Sequence, residues 1–454
     1  MTPAEGLHLL TVAEAGRRFR DGSLAPADYV AAFIERIKRL DPFLRSVITL
    51  AAPTDMEVGR WGGPLHWIPI GIKDSIATAG MRTTANSRVL ADWVPAEDAP
   101  SVTALRAAGA VVLAKLNLNE FAWGIPSEDD LFPPPRNPWS PEHRAMGSSS
   151  GSAVAVACGL CAAALGTDAG GSVRQPAANC GVVGLKPTHA LVDSSGALGA
   201  PTICEVGPIT RTVEDAALLL EALTGSTYAE DLRRPMRRTR IGVPRRHIDA
   251  AHSDPQIEAA FTDALQVLRG LGIEIVDVEI EGLGDAAEAD FLVLNAEAFA
   301  AHEQTLRARP SDYGLSSRLY HTQGAFLSAA DYMAALVAGD VVRKRVDVVF
   351  STIDFLATPV VPVLTADAAR SAKAQPHTGG AAIFTAPFNL TGHPAISIPG
   401  GMSTEGIPIG LQLIGRARGE ADLLWMAQQY EQATTWHQMH PSDVENASSH
   451  SIGG

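Results

Sequence analysis

Cysteine is scarce in this chain, and long apolar runs and aromatic residues are scarce as well. Four cysteines in 454 residues are too few for a disulfide framework, so we expect a cytoplasmic protein with reduced thiols. The longest nearly apolar stretch, Ala153 to Gly166, is shorter than the about 20 residues of a membrane span, and it predicts a buried helix. The first residues lack a basic segment followed by an apolar one, so no secretory signal is expected.

Positive charge is also in short supply. The chain has 36 Lys and Arg residues against 50 Asp and Glu residues, a formal net charge of −14. Such a chain repels phosphate backbones, and no basic face with interleaved aromatics is visible, so we expect neither a nucleic-acid nor a membrane partner. Cys158 and Cys161 form a C-x-x-C within the apolar stretch, without a second pair or a histidine cluster. This arrangement favours core packing and predicts no metal and no cofactor.

Hydrophobic residues make up 46% of the chain, which is enough for a large core. Strand-like runs such as Ile68 to Ile72 and Ala110 to Ala114 alternate with helical patterns such as Val102 to Ala108. The alternation predicts a single large α/β domain with a central mixed, mostly parallel twisted sheet and helices on both faces. We assign this domain to residues 1–436 and a polar tail to residues 437–454.

The segment Gly166-Thr-Asp-Ala-Gly-Gly-Ser-Val-Arg-Gln-Pro176 is the most informative part of the sequence. Its glycines allow the backbone of Ala169, Gly170, Gly171 and Ser172 to turn several N–H groups toward one oxygen. Such a turn stabilises an oxyanion, which makes Ser172 the candidate nucleophile.

A serine nucleophile needs a base, and the sequence alone offers two kinds. Histidines such as His377 and His393 stay open as members of a triad, although no motif selects either of them. Ser149 fits a G-x-S-x-G elbow, but a loop rather than a buried strand precedes it, which argues against that arrangement. The other candidate is Lys73, the only cation in the run Ile68-Pro-Ile-Gly-Ile-Lys-Asp74, where burial would lower its pKa.

Three separated segments together resemble the amidase signature family. They are Gly71-Ile-Lys-Asp74, Gly147-Ser-Ser-Ser-Gly-Ser-Ala153 and Gly166 to Arg174, and the similarity extends from about residue 10 to about residue 436. The resemblance implies the fold of that family and a Ser-cisSer-Lys triad, with a cis peptide expected between Gly147 and Ser148.

In the triad implied by this resemblance, Ser172 attacks the carbonyl carbon, Ser148 relays the proton and a neutral Lys73 is the base. The backbone N–H groups of residues 169–172 form the oxyanion hole. Ser149 is expected to support the triad by hydrogen bonding, and Asp168 and Arg174 are expected to hold the nucleophile loop.

The family includes hydrolases of aryl acylamides, carboxamides, carbamates (urethanes) and ureas. The segment after Asn119 borders the site by resemblance, and its Trp123, Ile125, Leu131 and Phe132 are predicted to line the substrate site for an aryl or alkyl group. The sequence therefore predicts a hydrolase of small amides or carbamates that acts through an acyl-enzyme on Ser172.

Two other functions stay open. The chain also resembles the glutaminase subunit of tRNA-dependent amidotransferases, but Ala382 stands where that branch has an acidic residue for free glutamine, so we favour a free-standing hydrolase. A non-catalytic scaffold of the same fold is the second alternative, and the joint presence of Lys73, Ser148 and Ser172 argues against it. A homodimer is compatible with the sequence, which does not determine the oligomeric state.

Overall fold

A computed structural model describes residues 6–52, 63–364 and 380–441. One of the two histidine candidates, His377, lies outside the described residues, as does most of the predicted tail, residues 442–454. The division at residue 436 therefore stays a prediction. In the described part of the chain no single helix is long and apolar enough to cross a bilayer; the pair Leu315–Phe326 and Ala329–Val349 passes this test only when joined across a 96° bend.

Helices and strands are interspersed along the described chain, without strict alternation. The strands are β1 (Val47–Leu50), β2 (Pro69–Lys73), β3 (Val111–Leu116), β4 (Ala163–Asp168), β5 (Val183–Lys186), β6 (Glu205–Thr210), β7 (Arg240–Val243), β8 (Glu274–Asp277), β9 (Phe355–Pro359), β10 (Ala395–Met402) and β11 (Pro408–Ile414). The helices are α1 (Val12–Arg20), α2 (Pro26–Leu44), α3 (Pro100–Ala107), α4 (Ser150–Ala157), α5 (Arg174–Cys180), α6 (Val213–Thr224), α7 (Arg245–Ala250), α8 (Pro255–Gly270), α9 (Leu283–Ala308), α10 (Leu315–Gln323), α11 (Ala329–Val349), α12 (Ala386–Leu390) and α13 (Glu420–Gln432).

The strands form one sheet of eleven in the order β1-β3-β2-β4-β6-β5-β10-β11-β9-β7-β8. The expectation of a large mixed sheet in an α/β domain is confirmed. The expectation that most strands run parallel is wrong, because only the pairs β2–β3, β2–β4, β7–β8 and β7–β9 are parallel and the other neighbouring pairs are antiparallel. Whether two neighbouring strands run parallel or antiparallel depends on which strands pair in the fold, and the local sequence pattern of a strand does not indicate its partner.

The helix starts follow local capping chemistry. The Thr11 side chain accepts a hydrogen bond from the backbone N–H of Glu14, and Thr212 does the same for Asp215. Pro26 lies at the first turn of α2, where its missing N–H has no cost. Residues next to each helix start therefore determine where these helices begin.

The apolar stretch from Ala153 to Gly166 is not one helix, which corrects the expectation stated above. It contains the end of α4, a turn and then most of β4. Gly159 has a φ of +63°, a left-handed conformation that glycine adopts without strain and that does not continue a helix. The first part of the stretch is therefore buried in a short helix, and the last part is buried in a central strand.

Two neighbouring parallel strands position the catalytic motifs. β2 and β4 pair in parallel, with Ile72 opposite Leu165, and every residue of both strands is buried. Lys73 and Asp168 are the last residues of these two strands. Because the carboxyl ends of parallel strands meet at one edge of a sheet, the strands bring these two motifs together.

Candidate active site

Lys73 is fully buried and hydrogen bonded at the end of β2. Its Nζ lies 2.7 Å from Ser148 Oγ and 2.7 Å from Thr167 Oγ1. Burial lowers the pKa of Lys73 from 10.5 to about 7, although the nearby negative charge of Asp168 acts in the opposite direction. A substantial fraction of the amine is therefore neutral near pH 7 and able to accept a proton.

Ser148 and Ser149 connect the serine-rich segment to the nucleophile loop. The Gly147–Ser148 peptide is cis, as the resemblance led us to expect. The backbone N–H of Ser149 donates to the carbonyl oxygen of Ser172, and the Ser149 hydroxyl donates to the carbonyl oxygen of Thr167. Ser149 thus joins the serine-rich segment to both β4 and the nucleophile loop.

Ser172 lies between β4 and α5, and it lines the same cavity as Ser148. Ser172 is half-buried, whereas Ser148 is almost completely buried. Within the described chain the Ser172 hydroxyl makes no hydrogen bond. The structure therefore brings the two serines to one cavity, and the proton step between them belongs to the proposed mechanism.

The oxyanion loop differs from the sequence prediction at one residue. Ala169, Gly170 and Ser172 line the cavity, but the backbone N–H of Gly171 donates to Asp168 Oδ1 at 2.7 Å. This N–H is already engaged, so Gly171 is not an oxyanion donor in this structure. Gly171 instead has a φ of +126°, which gives the loop its turn.

Asp168 and Arg174 form a fully buried ion pair, with 2.8 Å between Arg174 Nη2 and Asp168 Oδ1. Burial alone would raise the pKa of Asp168, but the charge and hydrogen bonds of Arg174 outweigh it and hold this pKa well below the usual range. Arg174 also donates to Asn389 and Gln412, which ties the loop to α12 and β11. The pair holds the loop, as expected, and neither residue lines the cavity.

The cavity beside the serines has a volume of about 590 Å³, within the range of small-molecule sites. Its larger apolar lining side chains are Trp123, Ile125, Met146, Phe291, Leu294 and Tyr320. The Trp123 ring stacks on Phe291 with 5.5 Å between centroids and meets Tyr320 edge-on at 5.3 Å. The cavity therefore offers an aromatic wall.

Two predicted lining residues lie elsewhere. Leu131 and Phe132 are absent from the described lining of the cavity. The Phe132 ring packs under the guanidinium of Arg82 at 5.5 Å, and its backbone N–H donates to Asn86. The described lining passes from Pro126 directly to Arg144, so the predicted contribution of Leu131 and Phe132 to the cavity is wrong.

The histidine alternative has no support in the described geometry. His393 is buried between Thr391 and Asp347, and burial lowers its pKa to about 4. It does not line the cavity that holds the serines. Between Leu116 and Ser150 the described chain has one short 3-10 turn and an isolated bridge, so no strand precedes Ser149.

Sequence reasoning missed several residues that shape the site. Thr167 holds Lys73, and the Thr385 hydroxyl donates to the carbonyl oxygen of Gly170 at 2.6 Å. Thr167 was open to prediction, because it lies inside the nucleophile motif on the strand beside Lys73. Phe291 and Tyr320 come from α9 and α10, far along the chain, and no local signal indicates them.

Comparison with known proteins agrees with this geometry. The family model described as Amidase matches residues 28–424. The chain belongs to the amidase family. It is therefore an amidase-signature amidohydrolase, an enzyme of a family that hydrolyses carbon–nitrogen bonds.

Individual amidase-family relatives cover nearly the whole chain. A Glutamyl-tRNA(Gln) amidotransferase subunit from Roseiflexus castenholzii is 35% identical over 500 residues, which cover 99% of this chain and 100% of the relative. A solved 6-aminohexanoate cyclic dimer hydrolase has a TM-score of 0.87 and 26% identity, and covers 96% of this chain and 99% of that one. The peptide amidase of Stenotrophomonas maltophilia has a TM-score of 0.79 and 30% identity, with 95% and 98% covered.

Proposed function

We propose that this amidase hydrolyses small aryl or alkyl amides or carbamates as a free-standing enzyme. The observation that carries the proposal is the cavity beside Ser148 and Ser172. It has an aromatic wall, and its described lining contains no carboxylate. An aryl or alkyl body therefore has an apolar surface to pack against.

In the proposed mechanism, Ser172 Oγ attacks the carbonyl carbon while its proton passes to Ser148, whose own proton passes to Lys73 Nζ. The resulting oxyanion accepts hydrogen bonds from backbone N–H groups of Ala169, Gly170 and Ser172, each worth roughly 3 kcal/mol. The proton then returns through Ser148 to the leaving nitrogen, because an amine anion leaves poorly. Water repeats the sequence on the acyl-enzyme and releases Ser172.

The glutaminase alternative has the support of the curated relatives, several of which are amidotransferase subunits. Against it stands the cavity. Ala382 lines it at the position where an acidic residue is expected for free glutamine, and an unpaired α-ammonium group is costly to desolvate. Whether the enzyme binds partner subunits or forms a homodimer is a question for experiment. A cytoplasmic location remains a prediction.

A fluorophosphonate probe followed by peptide mass spectrometry tests whether the site is catalytic. We expect an adduct on Ser172 in folded protein, none in Ser172→Ala, and normal labelling in Ser195→Ala, which alters an exposed serine outside the cavity. Absence of the adduct on folded wild-type protein would favour a non-catalytic scaffold.

A substrate panel tests the reaction class. One phenyl group is presented on an amide, a carbamate, a urea and an ester, and kcat/KM is compared for the chain alone. We expect turnover of the amide or the carbamate without any partner. Ammonia release from glutamine that requires added amidotransferase partner subunits, together with no turnover of the panel, would establish the alternative instead.

A further inference from the structure

Asp290, on α9, is a fully buried carboxyl group beside the oxyanion loop. Neither of its carboxyl oxygens has a hydrogen-bond partner within the described chain. A Cβ built on Gly170 would lie 3.4 Å from Asp290 Oδ2, and the neighbouring Ala289 packs in the same apolar cluster as Ala169. Phe291 lines the cavity, whereas Asp290 is not among the described lining residues. The carboxyl group therefore lies behind the loop, on the side away from the substrate.

The hydrogen-bond donors near this carboxyl group are engaged elsewhere. A guanidinium has five N–H groups, and those of Arg174 donate to Asp168 Oδ1 and Oδ2, Asn389 Oδ1, Gln412 Oε1 and the carbonyl oxygen of Thr385. The Asn389 amide donates to Asp168 and to the carbonyl oxygen of Ile203. An ionised Asp290 would therefore be a buried charge without the donors that normally stabilise one.

The charges around Asp290 come from four elements. Asp168 at the end of β4 and Glu297 on α9 are negative, whereas Arg174 on α5 and Lys186 on β5 are positive. Burial, followed by the negative charge of Asp168, raises the pKa of Asp290 well above its usual value, and the two cations only partly oppose this. Burial, the missing donors and the neighbouring carboxylate all favour the neutral acid.

The charge of this carboxyl group bears on the oxyanion in front of the loop. The N–H of Gly170 is one of the proposed oxyanion donors, and bond lengths place the oxyanion within about 9 Å of Asp290 Oδ2. At that distance and an effective dielectric constant of about 20, a second negative charge would slow oxyanion formation about 20-fold. Full stabilisation of the oxyanion therefore requires that Asp290 keeps its proton.

We propose that Asp290 is a neutral carboxylic acid behind the oxyanion loop, and that loss of its proton to solvent weakens the oxyanion hole and sets the alkaline limit of activity. The inference rests on the proposed function, in which this loop stabilises an oxyanion. Asp290 is a positioning residue, because it acts through the loop and contacts neither the substrate nor the reacting atoms.

The pH dependence of anilide hydrolysis between pH 7 and 10 tests the proposal. We expect wild-type kcat to fall by about 10- to 20-fold at the alkaline limit and then to level off, because the oxyanion hole is weakened and not lost. KM should change little, since the oxyanion forms only after the substrate has bound. Asp290→Asn keeps the shape of the side chain but cannot ionise, so its profile should lack this limb.

Glu297→Gln is the matched control on the same helix. Glu297 accepts a hydrogen bond from the Tyr332 hydroxyl at 2.8 Å, and its negative charge contributes to the raised pKa of Asp290. This variant should keep the alkaline limb and move it to lower pH. A limb that belonged instead to Lys186, whose pKa burial lowers to about 8, would persist in Asp290→Asn.

Urea unfolding tests the charge of Asp290 without reference to activity. A carboxyl group whose pKa is raised by folding destabilises the native state progressively as pH rises from its unfolded pKa toward its folded pKa. Between pH 5 and 7 the unfolding constant of wild type, relative to that of Asp290→Asn, should therefore rise about tenfold for each pH unit. Asp290→Leu, which is similar in size and also cannot ionise, should show the same trend.

The proposal is overturned if wild type has no alkaline limb up to pH 10, if Asp290→Asn keeps that limb, or if the relative unfolding constants do not change between pH 5 and 7. Failure of the proposed function would look different. The wild type would then hydrolyse no anilide at any pH, or Ser172→Ala would be equally active, while the unfolding measurements would still report the charge of Asp290.

Discussion

The acidic limb of the pH profile should belong to Lys73. Because burial places the pKa of this amine at about 7, the neutral base is lost as pH falls through that value. Below pH 7, kcat/KM should therefore fall about tenfold for each pH unit, which makes it about 100-fold lower at pH 5 than on the plateau. Above pH 8 the Lys73 amine is neutral, so its titration should cause no further change in kcat/KM.

Lys73→Ala is the perturbation that tests this assignment. It removes the base and the hydrogen bonds to Ser148 and Thr167. We expect kcat/KM at pH 8 to fall by about 10²- to 10⁴-fold, the usual contribution of a positioned general base. The residual activity should lack the limb near pH 7, since the titrating group has gone.

The assay measures aniline release from an anilide at each half pH unit between 5 and 9, with circular dichroism to verify folding. Lys115→Met is the matched control. Lys115 lies on the adjacent strand, is fully buried, has a pKa lowered to about 8 by burial, and contacts Asp74 rather than Ser148. That variant should lose stability, because it leaves the buried Asp74 carboxylate without its cation, and it should keep the limb. Near-normal activity in Lys73→Ala, or an unchanged acidic limb in its residual activity, would refute lysine as the base.

Three further predictions concern stability and the nucleophile loop. Lys73→Met should be inactive yet more stable below pH 7, because the lowered pKa of a buried lysine corresponds to a cost of about 5 kcal/mol, only partly offset by its hydrogen bonds. This cost is fully present below the folded pKa and disappears as pH rises to the unfolded value of 10.5, so urea unfolding should show the gain fading between pH 7 and 10. Asp168→Asn leaves the buried Arg174 charge uncompensated and should lower the free energy of unfolding by about 3–5 kcal/mol; a loss below 1 kcal/mol would contradict this. Gly171→Ala places a Cβ 2.3 Å from Thr385 Oγ1 at a positive φ, so kcat should fall at least about tenfold in steady-state assays, and wild-type kcat would show that the loop adapts.

The sequence alone was sufficient to predict the family and the α/β class. It also identified Lys73 and Ser148, the two residues that the structure joins by a hydrogen bond. These features depend on local chemistry. A glycine-rich turn, a lone lysine in an apolar strand and capping threonines such as Thr11 each carry their meaning within a few neighbouring residues.

Only the tertiary structure decided how distant segments meet. The pairing of β2 with β4 placed Thr167 against Lys73, and the contacts of Asp168 removed the N–H of Gly171 from the oxyanion hole. The cavity wall combines Trp123 with residues of α9 and α10, far along the chain. Such contacts join segments that are far apart in the sequence, and the local pattern of one segment carries no information about the other. The directions of the strands, the backbone N–H groups left for the oxyanion and the chemistry of the cavity therefore follow from tertiary packing.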